Sequence, residues 1–284
     1  MKILNIKMKR YLYCLSIILI IGVNSIICQG HGLDSIFVEK YYVTDSTDMM
    51  LSGSDILPIG SVTYRIFVCM KPGYKLQAVY GSEYHQMTIG SSKQIYNHPN
   101  YGNYIPNLIP DYSLRYNTVM LDSWISMGAA SMDGFGILKN HDDTAATVEN
   151  RFVPPMLHNT NGSFGFPLFE RDGIRFNSGK PPRVTAIGLD SLLADMNKFV
   201  AGTDSTGYYF RTNNGAWACL EGAKNVEGTP NNVIIAQFTT TGELHFEFNI
   251  QLGTPEGQVE RFVHSNPVAN EILFPALNFN SNNQ

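Results

Sequence analysis

Val233–Leu252 reads VIIAQFTTTGELHFEFNIQL. In its second half Leu244, Phe246, Phe248, Ile250 and Leu252 alternate with His245, Glu247, Asn249 and Gln251. A period of two places the five apolar side chains on one face of a strand and the four polar ones on the other. The first half is a shorter apolar strand, and Thr240-Thr241-Gly242 between them has turn chemistry, with glycine free to take a positive φ. The stretch predicts a β-hairpin in an antiparallel sheet packed on one side. It offers His245, Glu247 and Asn249 as a polar stripe that could line a binding face or simply meet water.

Outward from this stretch the same signals recur. Ser35–Val43, Ser61–Met70 and Lys75–Tyr80 read as strands, the last two forming a second hairpin about Lys71-Pro72-Gly73. Tyr84–Ile89, Thr118–Met127 around Trp124, Gly134–Leu138, Tyr208–Arg211, Ala216–Leu220 around Trp217, Gln258–His264 and Glu271–Leu277 follow the pattern. One helix is predicted at Asp190–Phe199, capped by Asp190 with Leu192, Leu193, Met196 and Val200 turned inward. Asn278–Gln284 is polar and predicts a frayed end.

The chain is rich in β formers and turn residues, with 15 Tyr, 16 Phe, 25 Gly and 14 Pro, and only 15% of it is charged. The fold class that follows is all-β, an antiparallel, jelly-roll-like β-sandwich. Residues 29–150 form an N-terminal β half, 151–183 an irregular crossover, and 184–284 a C-terminal β half of the same or a second sandwich. WISMGA from Trp124 and WACLEGA from Trp217 echo each other weakly, as two related halves would.

Residues 1–28 have the layout of a secretory signal peptide. Lys2, Lys7, Lys9 and Arg10 precede the apolar run Tyr11–Val23, and Ser25, Cys28 and Gly30 are small residues near a cleavage point. Its removal would take 20 basic residues to 16 against 24 acidic ones, moving the net charge from −4 to −8. Such a balance disfavours nucleic acid and anionic membranes, which attract basic patches. No later apolar segment has the roughly 20 residues needed to span a bilayer. Outside the leader only Cys69 and Cys219 remain, and they could pair or stay as buried thiols.

Chemical motifs are sparse. No H-x-H, H-E-x-x-H or zinc-spaced cysteine pair occurs. His141-Asp142-Asp143 could hold calcium but reads more simply as a solvated turn. Asn161-Gly162-Ser163 falls short of a nucleophile elbow and is an N-glycosylation sequon where the host provides that pathway. The segment most suited to contact is Gln94–Asn117, with five tyrosines, five asparagines and three prolines. Tyrosine supplies large, stiff contact area and asparagine adaptable hydrogen bonds, so Tyr96, Tyr101, Tyr104, Tyr112 and Tyr116 are candidate ligand contacts. A self-packed Ω-loop would use the same residues.

At Thr63–Gly81, TYRIFVCMKPGYKLQAVYG, and Leu121–Ala130, LDSWISMGAA, the chain resembles a module of large secreted proteins, chiefly exported surface proteins of Bacteroidetes-type bacteria. The resemblance covers residues 35–275 and implies an extracellular address; no activity or catalytic residue comes with it. Together these features lead to the expectation of a secreted or cell-surface, non-catalytic sandwich for recognition or adhesion, with a glycan or surface protein as ligand. A carbohydrate-active enzyme using Glu243 or Glu247, and a structural subunit of an extracellular layer or fibre, are the alternatives.

Overall fold

The structure is a computed structural model that describes residues 30–45, 48, 57–115, 118–139, 179–187, 208–226 and 229–283. The leader, the helix expected at Asp190–Phe199, His141–Asp143, Asn161 and Tyr116 lie outside these residues. The described chain is all-β. Its strands are β1 Leu33–Val43, β2 Val62–Met70, β3 Lys75–Tyr80, β4 Met87–Ser91, β5 Trp124–Ile125, β6 Thr185–Ile187, β7 Tyr208–Thr212, β8 Ala216–Ala223, β9 Asn232–Thr240, β10 Leu244–Glu247, β11 Asn249–Gly253, β12 Val259–Val263, β13 Glu271–Leu273 and β14 Asn278–Asn280.

They build three sheets, ordered β1-β2-β9-β5, β14-β10-β4-β7 and β13-β12-β11-β3-β8-β6. Every ladder is antiparallel except β12 with β13. The second and third sheets meet along one line. Only Phe248 separates β10 from β11, and the register passes from Ile250 opposite Val79 to Glu247 opposite Thr88, with residues 81–86 inserted between.

Neither expected hairpin forms. β9 pairs with β2 and β5, whereas β10 pairs with β4 and β14. β2 pairs with β1 and β9, whereas β3 pairs with β11 and β8. Each turn therefore carries the chain from one sheet to another. Gly242 is needed here for proximity and not for a positive φ, because a Cβ on it would lie 2.4 Å from the Lys93 nitrogen. Gly73, at φ +86°, does use the left-handed region.

Two apolar cores result. Val68, Val233, Ile235 and Phe238 of the first sheet share the main core with Leu76, Trp217, Phe246, Phe248, Ile250 and Phe262 of the other two. A second core joins Tyr41, Tyr42, Phe67 and Ile234 to Ile109, Leu114, Val119, Met120, Leu121, Trp124 and Leu138. The described residues between 109 and 138 thus cover the other face of the first sheet. That explains why Val233–Ala236 is apolar without alternation: β9 is buried on both faces.

Each of the three sheets contains strands from both residues 29–150 and residues 184–284. The matched tryptophans are not equivalent, since Trp124 belongs to the second core and Trp217 to the main one. Cys69 and Cys219 are free thiols on strands of different sheets, so the pairing left open for them is not made. Gly134–Leu138 contributes only an isolated bridge, Phe135 to Ala129. The expected frayed end instead forms β14, because Phe279 stacks on Phe246 with ring centroids 5.0 Å apart.

Candidate functional site

Residues 94–115 and 118–121 lie between β4 and β5 and are anchored at both ends. Tyr96 N–H donates to the Thr239 carbonyl at 2.7 Å, and its hydroxyl lies 2.8 Å from that of Thr118. At the other end Gln237 donates from Nε2 to the Met120 and Asp122 carbonyls at 2.9 and 2.7 Å. Thr239 Oγ1 donates to the Leu121 carbonyl at 2.6 Å. These are buried polar groups on β9 whose partners are loop carbonyls, and such satisfied networks hold one backbone path over others.

Asp122 organises the loop. It is fully buried, and its two carboxylate oxygens accept the His98 and Asn103 N–H groups, each at 2.7 Å. His98 Nδ1 in turn accepts the Tyr101 N–H at 3.1 Å. Gly102 sits against this clasp; a Cβ there would stand 2.5 Å from Asp122 Oδ1 and 2.6 Å from the His98 carbonyl. Burial pushes the Asp122 carboxyl up to about 7, against the lowering effect of the backbone N–H groups. Asp122 was not among the residues singled out from the sequence. Its position before a strand is ordinary, and only the fold brings residues 98 and 103 to it.

The tyrosines divide. Tyr96 is half-buried against the second core and Tyr104 against the main one, so both rings pack on the protein itself. Tyr101 and Tyr112 face solvent at 41% and 62% exposure. Leu108 at 53% and Met132 at 40% add apolar surface on the same layer, and Met132 N–H is tied to the Ile109 carbonyl at 2.8 Å. The described loop thus displays two tyrosines on a braced backbone.

The polar stripe of β10 and β11 has a different fate. His245 and Glu247 are half-buried, but Asn249 is fully buried and spends its amide on structure. Its Nδ2 donates to the Tyr80 and His85 carbonyls at 2.9 and 3.2 Å, closing the insertion of residues 81–86 onto the sheet. This corrects its reading as a binding residue on a wet face. Asn249→Ala is expected to cost about 1–3 kcal/mol through two abandoned carbonyls, checked by urea denaturation.

The same insertion collects side chains that the sequence left scattered. His85 Nε2 lies 2.7 Å from Glu271 Oε2, both nearly buried. His264 is close enough to Glu247, His85 and His245 for their charges to act on it, although burial is the main cause that lowers its pKa. Burial and then the Glu271 charge push the Tyr80 hydroxyl up to about 12. The His85–Glu271 contact holds β13 to the insertion. Among the described residues no group of His, Cys, Asp or Glu is arranged to hold a metal ion, and no helix is long and apolar enough to cross a membrane. No known protein family, curated protein or solved structure matches the chain, and the chemistry of the site is that of its own residues.

Proposed function

We propose that the protein is a secreted or cell-surface recognition module that binds a glycan or a surface protein through Tyr101 and Tyr112 and does not catalyse. The observation that carries this reading is the bracing of residues 98–103 by the buried Asp122 carboxylate. A loop fixed in advance loses little entropy on binding, and exposed tyrosines on it supply stiff amphipathic area. The extracellular address rests on the leader layout of residues 1–28.

The test is a glycan-array and surface-protein screen of the purified protein, with and without calcium. For a ligand so found, Tyr101→Ala and Tyr112→Ala should each weaken binding about tenfold, since buried aromatic anchors dominate interfaces. Tyr112→Ala, at a side chain 62% exposed, should keep the melting temperature within about 2 °C of the parent, and Tyr101→Ala, 41% exposed with its ring 5.6 Å from that of His98, within about 4 °C. Unchanged affinity in both variants would remove the loop from the contact. The carbohydrate-active alternative draws on one observation, that Glu247 and Glu271 both lie by the histidine cluster. Glycan cleavage lost in Glu247→Gln and Glu271→Gln would favour it over recognition.

A further inference from the structure

Residues 98–103 read His-Pro-Asn-Tyr-Gly-Asn, and residues 99–101 form a turn. Proline locks φ at about −65°, which suits the first corner of a turn, and Pro99 sits there. The residue ahead of that corner is most often Asp, Asn or Ser, because a short side chain there accepts backbone N–H groups further along the turn. His98 holds that place and does the same with a ring nitrogen. Its Nδ1 accepts the Asn100 N–H at 3.3 Å and the Tyr101 N–H at 3.1 Å. The His98 carbonyl accepts the Gly102 N–H at 3.0 Å, so three successive N–H groups end on this one residue. His98 is buried, and its ring centroid lies 5.6 Å from that of Tyr101.

Histidine in this place differs from Asn in one property. A carboxamide oxygen accepts at any ordinary pH, whereas Nδ1 accepts only while it carries no proton. The two N–H groups aimed at it are obligate donors, so the bonded ring is neutral with its proton on Nε2. An imidazolium carries protons on both nitrogens and would set a third donor against those two. Histidine is also the side chain whose charge ordinarily changes between about pH 5 and 8. The titratable side chains placed against His98 are Asp122, whose carboxylate accepts its N–H at 2.7 Å, and Tyr101. Asp122, when ionised, favours the imidazolium, and burial of the ring disfavours it. Neither alters which atom the added proton occupies.

We infer that His98 is a pH-sensitive latch on the tyrosine loop. With the ring neutral, Nδ1 pins the Asn100–Tyr101 turn; a proton on Nδ1 releases it. The chemistry of the latch stands on the geometry alone, and its consequence rests on the reading of Tyr101 as a ligand contact. Tyr101 is then held for contact near neutral pH and let go in acid. Apparent affinity falls in proportion to the fraction of molecules whose loop is braced, so a ligand taken up at neutral pH is shed as the pH drops. The two-state element is the turn itself, and the charge that biases it is one proton on one ring atom.

Amide exchange read by NMR on the whole protein tests the latch without a ligand. Corrected for intrinsic rates, exchange at Tyr101 in the parent should be about tenfold faster at about pH 5 than at about pH 7.5. His98→Asn puts a carboxamide oxygen where Nδ1 stands and does not titrate, so its Tyr101 rate should stay within about threefold over the same range. His98→Gln, whose amide reaches toward the Nε2 position, should exchange fast at both ends. The nitrogen NMR shift of the His98 ring should report an unprotonated Nδ1 at the upper pH and titrate with the same midpoint as the exchange. Asp122 accepts the His98 and Asn103 N–H groups and His98 that of Tyr101. A pH dependence at Tyr101 that survives in His98→Asn would therefore belong to the carboxyl and overturn the inference. A protonated Nδ1 at the upper pH, or a parent rate that does not change, would also overturn it. A failed ligand screen sinks the recognition reading alone.

Discussion

Asp122→Ala is expected to lower stability by about 2–5 kcal/mol and to release residues 98–105 from the sheet. The substitution removes the acceptor of one buried and one half-buried N–H group, and each such group left unsatisfied costs roughly 1–3 kcal/mol. Urea denaturation measures the loss, and hydrogen exchange at His98 and Asn103 locates it. The same carboxyl has a pH signature. Its folded pKa is raised to about 7 by burial, while an unfolded aspartate titrates near ~3.9. The folded state therefore holds a proton that the unfolded chain has released. The group's contribution to stability is full below the unfolded value and declines as pH rises toward the folded one, by up to about 1.4 kcal/mol per pH unit. Asp122→Asn, which does not titrate, should flatten this part of the curve between about pH 4 and 7. A parallel curve for the variant would show that the carboxyl is ionised throughout.

Phe248→Ala should be the other severe variant, at about 3–5 kcal/mol. Phe248 is fully buried at the line where β10 gives way to β11. Its ring stacks on Phe246 at 4.4 Å and meets Trp217 edge-on at 5.6 Å, and its N–H donates to the Leu277 carbonyl at 2.9 Å. Truncation empties the point at which two sheets share a strand path, where collapse of the surroundings is constrained from both sides. Chemical denaturation gives the magnitude. His245→Ala, on the half-buried opposite face, is the control and should stay within about 0.5 kcal/mol. Equal effects from the two would mean that the alternation does not divide core from surface here.

The alternation of Leu244–Leu252 is the clearest case of sequence legibility. All five apolar residues are fully buried, and three of the four polar ones are not. Asn249 departs from the pattern because an insertion in the neighbouring strand falls opposite it and supplies two carbonyls for its amide. The tyrosine segment was legible as a loop but not in its parts. Tyr96 and Tyr104 differ from Tyr101 and Tyr112 only in which way the backbone turns them, and the backbone is set by Asp122 and Gln237 from far along the chain.

The all-β class, the positions of the longer strands and the buried face of Leu244–Leu252 were thus determined by the sequence itself, since periodicity and turn chemistry are local and need no partner; Thr118–Met127 and Gly134–Leu138, read as strands, keep only Trp124–Ile125 and an isolated bridge. Which strands pair was decided only in the tertiary structure. A period-two pattern states which face meets a core and is silent on the neighbour to each side, so two hairpins expected from adjacent strands became crossings between sheets. The His85–Glu271 contact and the Asp122 clasp share that origin: each joins residues whose types are unremarkable alone, and burial and distance, which only the fold supplies, give them their chemistry.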